Sequence, residues 1–144
     1  MDTERAAMGR FAVDVKVLNN RDVHLAAYGA LAPENVRCAV LRGVVDSGAA
    51  KLILPASTVE QLGVRTMGEA TVRYGDQRTA TRPVVEEVRL ELLGRHGTFS
   101  AIVEPDRTTA LIGAIVLEDL DFLVDCTKQQ LTPRDPNRIV SEVE

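Results

Sequence analysis

Apolar residues recur at every second position over several short stretches of this chain, the spacing of half-buried β-strands. Phe11, Val13, Val15 and Val17 alternate with Ala12, Asp14 and Lys16. Asn19-Asn20-Arg21-Asp22 should break that strand. Turns are expected at Tyr28-Gly29 and Pro33-Glu34-Asn35, with a short strand between them. Arg37 to Val45 reads as a second strand, and Leu52-Ile53-Leu54 as a buried one that stops at Pro55. A short helix follows. Ser57-Thr58-Val59-Glu60 has capping-box spacing, Val59 and Leu62 share an apolar face, and Gly63 ends the helix. Thr71 to Tyr74 and Gln77 to Ala80 flank Gly75-Asp76, and glycine first in a two-residue loop predicts a type II′ hairpin. Val84, Val88, Leu90 and Leu92 fall on one face of the next strand, opposite Val85, Glu87, Arg89 and Glu91. A turn over Gly94 to Gly97 leads to a strand at Phe99 to Val103. Ile115 to Leu120 predicts a second helix. Phe122 to Val124 and Lys128 to Leu131 predict a closing hairpin, after which Pro133 and Pro136 exclude a regular strand.

Many short strands and one or two short helices predict an all-β, barrel-like domain. The 144 residues read as one domain over 1–144, with a loose lead-in at 1–10 and an irregular tail at 132–144. Aromatic residues make up 3% and Trp is absent, so the core must be aliphatic. A net charge of -4, with no basic run or stacking platform, argues against a nucleic-acid partner. The first five residues lack a basic-then-apolar signal pattern, and no apolar run approaches a membrane span. The expectation is a cytoplasmic protein with no membrane partner. Cys38 and Cys126 read as buried free thiols rather than a disulfide framework.

Chemistry concentrates at Val44-Val45-Asp46-Ser47-Gly48-Ala49 and, further on, Leu111-Ile112-Gly113. An apolar strand delivering Asp-Ser-Gly puts a carboxylate where backbone can approach closely. A second apolar pair ending in glycine would pack beneath that turn. With a hairpin between the two motifs, the chain resembles the retropepsin-like aspartic proteases, from about Arg37 to Leu131. The resemblance implies an acid-protease barrel acting as a homodimer, because one Asp-Ser-Gly supplies half of a carboxylate pair. It assigns Asp46 as the catalytic acid/base and Ser47, Gly48 and Ala49 as the supporting loop. Tyr74, Gly75 and Asp76 become the flap over an extended peptide, and Leu111, Ile112 and Gly113 the second motif. Retroviral members place an acidic residue and an arginine, which support each other, where this chain has Ala50 and Ala114. No cofactor is implied. No metal site is expected either, since His24, His96 and the two cysteines lack ligand spacing. The histidines sit in polar, loop-like contexts without a Gly-x-Ser-x-Gly elbow, so Ser47 is not read as a nucleophile. Asp125 and the Glu104-Pro105-Asp106 loop read as structural or solvated carboxylates. Beside the endopeptidase stands the alternative of a non-proteolytic module that binds a peptide or protein in the same cleft.

Overall fold

The computed structural model describes residues 10–144. The expected lead-in therefore lies outside the described residues, except for Arg10. In chain order the elements are β1 (Phe11–Asn19), α1 (Asn20–Ala27), a 3₁₀ turn (Pro33–Asn35), β2 (Cys38–Val45), β3 (Leu52–Pro55), α2 (Ala56–Leu62), β4 (Thr66–Arg73), β5 (Thr79–Leu92), β6 (Arg95–Glu104), β7 (Ala110–Ile112), α3 (Ala114–Asp119), β8 (Phe122–Asp125) and β9 (Gln130–Pro133).

Seven strands form one sheet in the order β1-β2-β7-β3-β6-β5-β4, and β1 also pairs with β5. That extra pairing closes six strands into a barrel and leaves β4 as an outer arm on β5. Closure removes the edge that β1 would otherwise present, while β4 keeps an outer edge. The barrel is filled by Val15, Val17, Val45, Leu54, Val85, Val88, Leu90, Leu92, Ile112 and Leu120, all but fully buried. The core is mainly aliphatic, with Phe99 and Phe122 also buried in it.

The side-chain alternation of β5 does not run unbroken. Val85, Val88, Leu90 and Leu92 are buried while Val84 is only half-buried, so Val84 and Val85 exchange the faces expected of them. The register against β6 shifts between Val85 and Val88, and Glu87 there has a φ of 61°. A bulge of this kind adds a residue and reverses the parity of everything before it.

Strand β1 ends at Asn19 and turns fall at Tyr28-Gly29 and Pro33–Asn35 as expected, but no strand lies between those turns, and residues 20–27 form a helix the pattern did not predict. Asn19 is its N-cap, accepting the Asp22 N–H at 3.1 Å, and Asn19 Nδ2 donates to Leu62 O at 2.9 Å. Asp22 then accepts from Arg37 N–H at 3.1 Å, Nε at 2.8 Å and Nη2 at 3.0 Å. Those contacts, chiefly the guanidinium, hold the Asp22 carboxyl below its ordinary value. Asn and Asp terminate strands and start helices for the same reason, their side chains bond nearby backbone, so the string reads either way.

Other departures are local. Helix α2 begins at Ala56 with Pro55 as N-cap and no side-chain cap bond. Ser57 thus falls inside the first turn and the anticipated capping box is not formed, although Gly63 ends the helix in the left-handed region. The β5–β6 loop is the pair Leu93-Gly94, both at positive φ, which is shorter than the turn expected at Gly94 to Gly97. With α1 the described residues hold three short α-helices rather than one or two. Pro133 ends β9, paired with Phe122, and no strand follows it. Both cysteines are free, but neither is buried: Cys38 is half-buried and Cys126 exposed.

Candidate active site

Strand β7 lies between β2 and β3, parallel to the first through Val44↔Leu111 and Val45↔Ile112, and antiparallel to the second through Leu52↔Ile112. The chain leaving β2 at Val45 must therefore cross the end of β7 before returning as β3. Residues 46–51 make that crossing, and they do so over Gly113. A Cβ at Gly113 would lie 2.3 Å from Lys51 O and 2.8 Å from both Ala49 O and Lys51 N. All three are backbone atoms. Only a residue without a side chain leaves room for the loop.

Backbone hydrogen bonds seal the crossing. Asp46 N–H donates to Ile112 O at 3.1 Å, Ala114 N–H to Ala49 O at 2.8 Å, and Ile115 N–H to Ala50 O at 3.0 Å. Ala50 and Ala114, which lack the polar side chains of the retroviral pattern, are thus tied through main chain. The Asp46 side chain is 18% exposed. Its Oδ1 accepts the Gly48 N–H at 3.0 Å, and its Oδ2 lies 3.3 Å from Arg10 Nε. Ser47 and Gly48 are exposed on the outer side of the loop. The structure thus brings Asp46, Ser47, Gly48 and Ala49 together with Leu111, Ile112 and Gly113.

Arg10 was assigned to the lead-in. Its signal lay in the register: Phe11 pairs with Val45, so the residue before one falls beside the residue after the other. At 60% exposure its guanidinium is a weak, solvent-screened partner for Asp46.

Tyr74, Gly75 and Asp76 sit away from this loop in sequence, at the tip of the β4–β5 hairpin. The tip is not a type II′ turn. Tyr74 O accepts the Gln77 N–H at 3.0 Å, Tyr74 N–H donates to Arg78 O at 2.8 Å, and Gln77 rather than Gly75 has positive φ, 71°. This is a three-residue loop whose left-handed position falls on Gln77. Asp76 accepts the Arg78 N–H at 3.0 Å, which holds its carboxyl below the ordinary value. Tyr74 Oη donates to both carboxylate oxygens of Glu104, at 3.0 and 2.7 Å, so Glu104 is a bonded partner rather than a solvated carboxylate. His24 lies exposed on α1 and His96 exposed on β6, in regular elements rather than loops.

Solved structures of other proteins are similar to this fold. The EIAV protease, in a complex with the inhibitor HBY-793, superposes with a TM-score of 0.55 over 77% of this chain and 88% of its own, at 18% identity. The Simian Foamy Virus protease gives 0.48 over 74% and 91%, at 12% identity. This is the retropepsin fold. No family model matches the sequence, and neither does any curated protein. No helix among the described residues is long and apolar enough to cross a membrane.

Proposed function

We propose that this protein is an aspartic endopeptidase that acts as a homodimer, with Asp46 from each copy forming the catalytic pair. The observation that carries this reading is the loop of residues 46–51 seated on Gly113, which fixes a half-buried carboxylate at a barrel rim. Two carboxylates at contact distance hold one proton between them, because two adjacent negative charges repel. The ionised member takes a proton from water as that water's oxygen attacks the scissile carbonyl carbon. The protonated member donates to the carbonyl oxygen, and collapse of the tetrahedral intermediate sends a proton to the departing amine nitrogen. One chain brings one such carboxylate, so the second comes from a two-fold related copy.

The remaining roles are those the resemblance implies. Ser47, exposed beside Asp46, would hydrogen-bond to the partner's loop. Gly48 directs its N–H onto Oδ1 and orients the carboxylate. Arg10 occupies Oδ2 in the single chain, and approach of the second carboxylate displaces it at little cost because it is largely hydrated. The β4–β5 hairpin would cover an extended peptide and exclude water.

The test is Asp46→Asn, which preserves shape and removes the ionisable group from both halves of the pair. Hydrolysis of a peptide library should fall by at least about 10²–10⁴-fold while the fold survives. Wild-type turnover should peak on the acidic side of neutral, since the pair needs one proton rather than none or two. Undiminished cleavage by folded Asp46→Asn would refute Asp46 as the catalytic group, and peptide binding without cleavage by the wild type would leave the non-proteolytic module. Cleavage by a strictly monomeric protein would refute the pairing.

A further inference from the structure

Past Val84, which pairs with Ile102 of β6, the β5 residues 79–83 pair with β4 alone. The hairpin arm has left the barrel there, and its root is the bulge at Glu87. Strand β6 continues instead along β3, through Val103 to Glu104 opposite Pro55. The free arm and the barrel rim thus diverge, and a side-chain cluster spans the gap between them.

Glu104 on the rim accepts from Tyr74 Oη at the end of β4 and from Arg82 Nε on β5, while Arg82 Nε also reaches Tyr74 Oη at 3.2 Å. Both hairpin strands are therefore tied to one carboxylate. The Glu104 side chain is 12% exposed and that of Arg82 28%, so this cluster is less hydrated than the tip pair Arg78–Asp76, at 72% and 62%. Charge-assisted bonds with little solvent competition outweigh exposed ones. The Glu104 carboxylate holds the Arg82 guanidinium above its ordinary value, in keeping with a tight pair. Arg78 lies 4.9 Å over the Tyr74 ring.

We infer that Glu104 is a positioning residue: with Tyr74 and Arg82 it latches the free arm of the β4–β5 hairpin to the barrel rim before substrate arrives. The inference rests on the reading of this hairpin as the cover of the cleft. A pre-ordered arm spares an incoming peptide the ordering of a flexible strand, so the latch acts on binding rather than on bond breaking.

Hydrogen exchange read by mass spectrometry on the full-length chain, together with peptide hydrolysis, tests this in Glu104→Gln and Tyr74→Phe. Each substitution keeps side-chain shape and weakens the latch. Amides of residues 66–83 should exchange about tenfold faster with β1 and β6 unchanged, and KM should rise about 3- to 10-fold with kcat within about twofold. Unchanged exchange in both variants would overturn the latch. Faster exchange throughout the chain would do the same, by making Glu104 a general structural residue. Faster hairpin exchange with unaltered KM would overturn the positioning role. Absence of turnover in the wild type would refute the protease reading instead, and exchange would still decide whether the latch exists.

Discussion

Gly113→Ala should be among the most damaging single-methyl additions this protein can receive. The new Cβ would sit 2.3 Å from Lys51 O, a full ångström inside van der Waals contact, with two further backbone atoms at 2.8 Å. No side chain can rotate away, so the loop over residues 46–51 must lift. Overpacking of this kind costs about 1–3 kcal/mol. Lifting also loosens Ala114 N–H to Ala49 O and Ile115 N–H to Ala50 O, at about 1 kcal/mol each. The sum is about 3–5 kcal/mol, a large share of the roughly 5–15 kcal/mol typical of a folded domain. Urea denaturation at one fixed protein concentration measures it, because association would add to apparent stability. Gly48→Ala is the control: its Cβ meets only Asp46 Oδ1, at 3.2 Å. A Gly113→Ala protein within about 0.5 kcal/mol of wild type would refute the argument that the loop is seated on this glycine.

The hairpin tip yields a second test. Gly75→Val should change stability by less than about 0.5 kcal/mol, since its φ is not positive and nothing lies within 4 Å of its Cβ position. Gln77→Gly should stabilise the protein by about 0.5–1 kcal/mol by relieving a left-handed residue; thermal melts of the two variants check the pair. A third test concerns acid. Asp121 accepts the Val140 N–H at 3.0 Å and Arg134 Nε at 2.7 Å, and these contacts, the backbone one foremost, lower its carboxyl from the ordinary 3.8. Because the native value is depressed, its contribution is complete above about pH 4 and fades as pH falls through the lowered native value. Asp22 behaves likewise through Arg37. Stability should therefore hold through the mildly acidic range and decline below about pH 4, and Asp121→Asn should flatten that decline; denaturant midpoints against pH measure both.

Much of the barrel was legible in the sequence, because period-two alternation is a local property of a half-buried strand. Phe11 to Val17, Arg37 to Val45 and Leu52 to Leu54 fall within β1, β2 and β3 or at their edges. The two motifs were legible for the same reason: each is a short apolar strand ending in residues that only a tight approach requires. What remained hidden depended on partners distant in sequence. Helix α1 is fixed by Asn19 to Leu62 and Asp22 to Arg37, contacts that span 43 and 15 residues. The parity of β5 turns on the bulge at Glu87, which the register against β6 reveals. The seating of 46–51 on Gly113, the placement of Arg10 beside Asp46 and the joining of Tyr74 and Arg82 to Glu104 arise only once strands far apart in the chain lie side by side. Local side-chain chemistry and periodicity set which segments extend and where they turn. Closure of the barrel, a matter of non-local hydrogen bonding, decided which of those residues meet.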